Sequence, residues 1–149
     1  MRDADLLTDF IIGEAIAIHR ELRSGLFEST YEIILADALQ RAGLAVERQK
    51  LVPIVYAGRT IAEAYRLDLL VEQRVVVECK AVDKLAPVHT QQLLTHLRLG
   101  GYPVGLLLNF GAEVLRDGIK RVVNHLPPLD GSRVVVNRVA EDMLPTFIA

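Results

Sequence analysis

The strongest constraint on the fold of this chain is a pair of strand-like runs separated by three residues. The runs cover residues 66–71 and 75–80, both rich in leucine or valine, and residues 72–74 between them are polar. Two such runs with a short polar connection predict an antiparallel β-hairpin. A three-residue loop pairs Val71 with Val75. A two-residue loop would shift the register and turn one strand's side chains to the opposite face of the sheet.

The three-residue loop brings two carboxylates together. In that register Asp68 lies directly opposite Glu78, and Lys80 shares their face because side chains two residues apart point to the same side. Facing like charges destabilise a strand pair by about 0.2–1 kcal/mol. A cation removes this repulsion, and oxygen ligands suit Mg²⁺ or Mn²⁺, beside which Lys80 could orient or deprotonate a water. The alternative is a salt-bridged sheet edge in which Lys80 neutralises Glu78.

Length and composition favour one globular domain, residues 1–149. The chain has 149 residues, of which 51% are apolar and 24% charged, and this excludes wholesale disorder. No apolar run reaches membrane-spanning length, and the N-terminus lacks the basic flank of a signal peptide, so we expect a cytoplasmic protein without membrane contact. Cys79 is the only cysteine. Strand alternation turns it towards the buried face, which predicts a core residue rather than a nucleophile.

The charge is unevenly distributed along the chain. The net charge is −2, but residues 1–40 hold three basic and eight acidic residues, so the remainder carries a small basic excess. The acidic surplus belongs to the N-terminal helices and the basic one to the sheet and the segments after it. This distribution permits contact with phosphates without requiring it.

Hydrophobic periodicity and turn residues predict an α/β fold, a mixed central β-sheet flanked by helices. The segment from the third strand through the helix at Pro87 to the strand at Val104 forms a β-α-β unit with a right-handed crossover between parallel strands. The predicted helices are 7–22, 31–42 and 87–99; the predicted strands are 46–56, 60–71, 75–81 and 103–110, followed by less regular strands at 118–123 and 133–139.

Four ordered motifs resemble the GxxExxY family, a group within the PD-(D/E)XK nuclease-like superfamily. The name motif corresponds to residues 25–31, Gly-Leu-Phe-Glu-Ser-Thr-Tyr. The superfamily motif corresponds to Asp68 followed by residues 78–80, Glu-Cys-Lys. Residues 105–111, Gly-Leu-Leu-Leu-Asn-Phe-Gly, and residues 118–121, Gly-Ile-Lys-Arg, match downstream motifs of the group. The resemblance spans about residues 7–124, which leaves residues 125–149 as a C-terminal extension.

The resemblance implies a restriction-endonuclease-like core of the order αβββαβ and a divalent metal site. In relatives the motif acids and the next backbone carbonyl hold Mg²⁺; the matching groups are Asp68, Glu78 and the carbonyl of Cys79. Lys80 matches the motif lysine, and Glu28 is the helix glutamate that often completes the site. The alternative for Glu28 is stabilisation of the helix dipole from the first turn.

Neighbouring helix positions extend the predicted site. Many relatives carry Gln-x-x-x-Tyr on the helix after the lysine strand, which here becomes Gln92 and His96. His96 could transfer protons that a tyrosine would not transfer near neutral pH, so this departure leaves altered chemistry or lost activity open. Glu32 lies one turn after Glu28, and two acids at that spacing destabilise a helix unless a cation or an arginine lies nearby. Tyr31 is expected to pack rather than act chemically.

Two functions follow as hypotheses. The first is an Mg²⁺- or Mn²⁺-dependent nuclease that hydrolyses phosphodiester bonds in DNA or RNA. The second is a nuclease-like fold that acts as a non-catalytic nucleic-acid- or protein-binding module, because fold alone does not determine function. Exposed apolar surface on the first helix or the tail could support a homodimer.

Overall fold

Helices cover both faces of a single β-sheet in the computed structural model, which describes residues 3–125 and the backbone of residues 134–136. The elements, in chain order, are α1 (Ala4–Leu22), α2 (Glu28–Arg41), β1 (Val46–Tyr56), β2 (Arg59–Val71), β3 (Val75–Lys80), α3 (Pro87–Gly100), β4 (Val104–Asn109), a 3-10 turn (Leu115–Gly118), β5 (Ile119–Val123) and β6 (Val134–Val136). The predicted helices and strands of this region are therefore present.

The sheet has the mixed topology that the sequence predicts. Its strand order is β5-β4-β3-β2-β1-β6. The strands β3 and β4 are parallel and are connected through α3, whereas the other neighbouring strands are antiparallel. The segment from α2 to β4 has the order αβββαβ, which confirms the α/β fold class with a restriction-endonuclease-like core.

The hairpin of β2 and β3 adopts the three-residue register. Val71 pairs with Val75. Glu72 and Gln73 have positive φ angles of 53° and 56°, a conformation that costs non-glycine residues free energy. Glu72 offsets this cost through two hydrogen bonds to Ala45. Its carboxylate accepts from the Ala45 N–H at 2.7 Å, and its backbone N–H donates to the Ala45 carbonyl at 2.8 Å.

Two apolar cores lie on opposite faces of the sheet. One contains Leu7, Ile11 and Leu35 from α1 and α2, and the other contains Leu93 and Leu97 from α3. Each such side chain contributes about 1.5–3 kcal/mol on burial. All of β4 is buried, as its nearly all-apolar sequence predicts, and so is β3 except at its last residue. The ends of these two strands therefore form a rigid base for polar side chains.

The observed boundaries differ from the predicted ones by a few residues. The first helix begins at Ala4 because the Asp3 carboxylate accepts hydrogen bonds from the N–H groups of Asp5 and Leu6 at 2.8 and 3.2 Å. The strand β3 ends at Lys80 rather than at residue 81. Within the predicted strand 133–139, β6 covers Val134–Val136, and the rest lies outside the described residues.

Candidate active site

Asp68 lies where β2 and β3 separate. The regular pairing ends with Leu69 opposite Val77. Beyond that point the Asp68 carboxylate accepts a hydrogen bond from the Cys79 N–H at 2.9 Å. Burial, reinforced by the negative charge of Glu78, raises the pKa of Asp68 to about 7. The two acids are therefore close enough to repel each other.

Strand alternation is interrupted at Asp68, which changes the direction of its side chain. Leu67 packs in the core beneath α3, whereas Leu69 packs in the core beneath α1 and α2. The opposing residue on β1, Gln49, has a φ angle of 52°, and the regular pairing skips this position. Asp68 consequently lines a cleft beside α2. We expected Asp68, Glu78 and Lys80 to share one face of the sheet. That expectation assumed unbroken alternation along β2, which the structure does not show.

Glu78 and Lys80 occupy the end of β3. Glu78 is only 9% exposed, and its Oε1 has no hydrogen-bond partner within residues 3–125. Lys80 is half-buried and forms no ion pair with the described residues, although its charge slightly lowers the pKa of Asp68. A buried acid and an unpaired ammonium therefore occupy the end of the same strand.

Glu28 connects α2 to the end of β3. As the first residue of α2, it presents a carboxylate that accepts a hydrogen bond from the Ala81 N–H at 3.1 Å. Ala81 directly follows Lys80 in the chain. This contact brings the predicted helix glutamate to the edge of the sheet that carries the other predicted acids.

Glu32 is buried but charge-balanced by β1. Its Oε2 lies 2.9 Å from Arg48 Nη2, and its Oε1 accepts a hydrogen bond from the Gln49 side chain at 2.7 Å. Arg48 is therefore the nearby arginine that two acids on one helix face require. Both Glu32 oxygens are engaged by protein groups, which suits a role in joining α2 to β1.

Tyr31 packs between α2 and the sheet. Its ring is fully buried and stacks on Phe110 with centroids 4.5 Å apart and planes at 10°. Its hydroxyl donates to the Arg23 carbonyl and accepts from the Leu26 N–H. These contacts fix the loop that leads into α2 and therefore the start of the helix at Glu28.

The two predicted residues of α3 differ in their contacts. Gln92 is exposed. His96 is half-buried, and its Nδ1 lies 3.9 Å from Glu78 Oε1. The His96 ring stacks on Tyr65 with centroids 4.7 Å apart and planes at 18°. The structure thus brings His96 against Glu78, whereas Gln92 remains at the surface of the helix.

Cys79 is buried in the core beneath α1 and α2. Burial, together with the surrounding acids, raises the pKa of its thiol. A raised pKa disfavours the reactive thiolate. The side chain is thus a core residue, as alternation along β3 predicts.

A cleft of about 550 Å³ opens beside Asp68 and contains residues that the sequence reasoning missed. Phe27, which immediately precedes Glu28, is 82% exposed at this cleft. Leu26 and Gln49 also line it. An aromatic residue directly before the motif glutamate was the available sequence signal for Phe27, but Gln49 becomes a neighbour only through the sheet register.

The acids at this edge fit a divalent cation in part. Within the described residues, no group of three or more His, Cys, Asp or Glu side chains is arranged to hold a metal ion. Mg²⁺, however, often takes only one or two carboxylates plus waters and substrate phosphates. Asp68 and Glu78 supply two such carboxylates, and Glu78 Oε1 has no hydrogen-bond partner within residues 3–125.

The mixed sheet, with acids near the ends of β2 and β3 and a lysine after the second acid, defines a restriction-endonuclease-like nuclease fold. The chain belongs to the PD-(D/E)XK nuclease superfamily, whose family description matches residues 5–122. No curated protein and no solved structure matches the chain.

Membership in this superfamily suggests nuclease, and therefore hydrolase, activity on a nucleic acid and does not favour the non-catalytic alternative. Nucleases of this superfamily commonly use divalent metals. Among the helices of residues 3–125, none is long and apolar enough to span a membrane.

Proposed function

We propose that this protein is a divalent-metal-dependent nuclease of the GxxExxY type, with Asp68 and Glu78 as its principal metal ligands. The observation that carries the proposal is the pair of mutually repelling acids at the diverging ends of β2 and β3, one of which keeps a buried oxygen without a partner. A protein that retained these acids for stability alone would pair both with cations, as it pairs Glu32 with Arg48.

The proposed metal is Mg²⁺ or Mn²⁺, bound by Asp68, Glu78 and the carbonyl of Cys79, with Glu28 completing the site. The bound ion supplies Lewis acidity and charge neutralisation at the scissile phosphate. Lys80 positions the attacking water and offsets developing negative charge. Its lack of an ion pair within residues 3–125 leaves the ammonium available for this role.

The proposed substrate is DNA or RNA, contacted from the cleft beside α2. Phe27 offers an exposed aromatic face next to Glu28 and Asp68. Unpaired bases stack on such side chains irrespective of their sequence. Gln92 and His96 lie on the helix that follows the lysine strand, from which they contact the phosphate or a water.

The proposal also includes a single domain over residues 1–149, a cytoplasmic location and a homodimer as the assembly to test. The extent of the domain decides which chain to assay, because the family match ends at residue 122. The full chain is therefore the protein to assay.

A nuclease panel tests the function. Wild type is incubated with Mg²⁺ or Mn²⁺ and with single-stranded, duplex and branched DNA and RNA, beside Glu78→Gln and Lys80→Met. We expect cleavage by wild type and a loss of about 100-fold or more in each variant, since each removes a group that stabilises charge in the transition state. Glu63→Gln, an exposed acid on β2, is the matched control. Equal cleavage by wild type and both site variants would indicate a contaminant and refute the site.

A further inference from the structure

Phe27 is exposed to solvent on a backbone that is fixed from inside the protein. Its side chain is 82% exposed. The segment that carries it is held by the buried Tyr31, whose hydroxyl donates to the Arg23 carbonyl and accepts from the Leu26 N–H. The helix α2 begins directly after Phe27, at Glu28. A ligand that stacks on the Phe27 ring therefore meets a surface that is already ordered, which lowers the entropic cost of binding.

Gln49 lines the same cleft, and its side chain has a fixed orientation. Its Nε2 donates to Glu32 Oε1 at 2.7 Å, and Glu32 is held in turn by Arg48. Since a carboxylate only accepts hydrogen bonds, this contact assigns the amide nitrogen to Glu32 and leaves the amide oxygen for a ligand in the cleft. The φ angle of Gln49 is 52°, and strained residues of this kind are concentrated at functional sites.

The cleft suits a neutral base at one end and a metal-bound phosphate at the other. Leu26 and Phe27 provide apolar surface, whereas Glu28 and Asp68 provide carboxylates that repel a phosphate in the absence of a cation. The volume of about 550 Å³ lies within the range of about 300–1,000 Å³ that is usual for sites of small ligands. This is the scale of a nucleotide. The apolar end therefore fits the base, and the acids lie where the adjacent phosphate would follow.

We propose that this cleft binds one unpaired nucleobase, stacked on Phe27 and hydrogen-bonded to Gln49 Oε1, and that the protein therefore acts on single-stranded nucleic acid rather than on intact duplex. The inference rests on the proposed function, whose substrate class it names. Every base has an N–H on its Watson–Crick edge, and in a duplex this edge is paired and the ring faces are stacked. Both contacts thus select for an unpaired base without selecting its identity.

A tryptophan at position 27 tests the stacking directly. The chain contains no tryptophan, so Phe27→Trp introduces a single indole whose fluorescence is quenched when a base stacks on it. The full-length variant is titrated in EDTA with a short DNA single strand and with the same sequence as a duplex, so that neither cleavage nor a bound metal enters the measurement. We expect saturable quenching by the single strand and binding about tenfold weaker or less for the duplex. Ile33→Trp, at an exposed position of α2 that does not line the cleft, is the matched control and should show no quenching.

Two further variants separate the ring from the amide. Phe27→Leu keeps an apolar side chain without the ring and should weaken single-strand binding about tenfold in fluorescence anisotropy, while the weak duplex binding stays unchanged. Gln49→Asn withdraws the amide oxygen at a position where asparagine tolerates the positive φ angle, and should weaken single-strand binding about fivefold.

The outcomes distinguish this inference from the proposed function. If duplex quenches Phe27→Trp at the same concentrations as single strand, or if Phe27→Leu binds single strands as wild type does, the substrate assignment is overturned. Metal-dependent cleavage of duplex by wild type, but not by Glu78→Gln, would then leave the proposed function standing. Quenching by single strands alone, without metal-dependent cleavage of any substrate, would support the base-binding cleft and refute the nuclease.

Discussion

Without metal, the Asp68→Asn variant should become increasingly more stable than wild type as pH rises. The pKa of Asp68 is about 7 in the folded protein, compared with an ordinary value of 3.8. The folded state therefore holds this proton more tightly than the unfolded state. Stabilisation from the group is complete below about pH 3.8 and is lost as pH rises through about 7. Asparagine keeps an oxygen for the Cys79 N–H but does not titrate.

The size of this change in stability follows from the shift in the pKa of Asp68. One proton bound more tightly in the folded state changes the free energy of unfolding by about 1.36 kcal/mol per pH unit. Over the two units between pH 5 and pH 7 the upper limit is about 2.7 kcal/mol. Asp68 retains some solvent contact, and screening reduces the expected change to about 1–2 kcal/mol.

Urea unfolding in EDTA at pH 5 and pH 8, followed by circular dichroism, measures this difference. The free energy of unfolding of Asp68→Asn minus that of wild type should be about 1–2 kcal/mol larger at pH 8. Glu63→Gln, an exposed acid on the same strand, should show no such pH dependence. A difference that stays constant or shrinks between pH 5 and pH 8 would refute the raised pKa of Asp68 that burial and the charge of Glu78 produce.

Three further predictions concern residues around the cleft. Tyr31→Phe removes the hydroxyl that binds the Arg23 carbonyl and should lower the free energy of unfolding by about 1–2 kcal/mol in a denaturant titration; an unchanged midpoint would contradict a structural role. Arg48→Ala leaves the buried Glu32 carboxylate without its ion pair and should cost about 3 kcal/mol in the same assay, whereas pairing Arg48→Ala with Glu32→Gln should recover part of the loss. Phe27→Ala should leave stability unchanged and weaken binding of a single-stranded oligonucleotide about tenfold in fluorescence anisotropy; equal affinity would remove the stacking role.

The sheet could be predicted because its sequence signals are local. The short polar connection at residues 72–74 determines the hairpin register, and the apolar run of β4 can only be buried. The crossover through α3 follows from chain length and handedness. These features require no knowledge of which distant side chains meet.

The details of the site depend on contacts between distant elements. The interruption of strand alternation at Asp68 coincides with a positive φ angle at Gln49 on β1. The periodicity of the β2 sequence gives no indication of it. The contact of Glu28 with the Ala81 N–H joins residues 53 positions apart. Sequence spacing could nominate Glu28 and Asp68, but it could not provide the direction of either side chain.

Asn109 holds the chain immediately after the site strand. Its Oδ1 accepts hydrogen bonds from the N–H groups of Val82 and Gly111 at 3.0 Å, and its Nδ2 donates to the Val82 carbonyl at 2.8 Å. A Cβ on Gly111 would lie 2.4 Å from the Val82 oxygen, so this position requires glycine. The Asn-Phe-Gly motif thus fixes the backbone that follows β3, through contacts that do not involve Asp68 or Glu78. A related chain that lost Asp68 would keep these backbone contacts, so the presence of this motif indicates the fold and not nuclease activity.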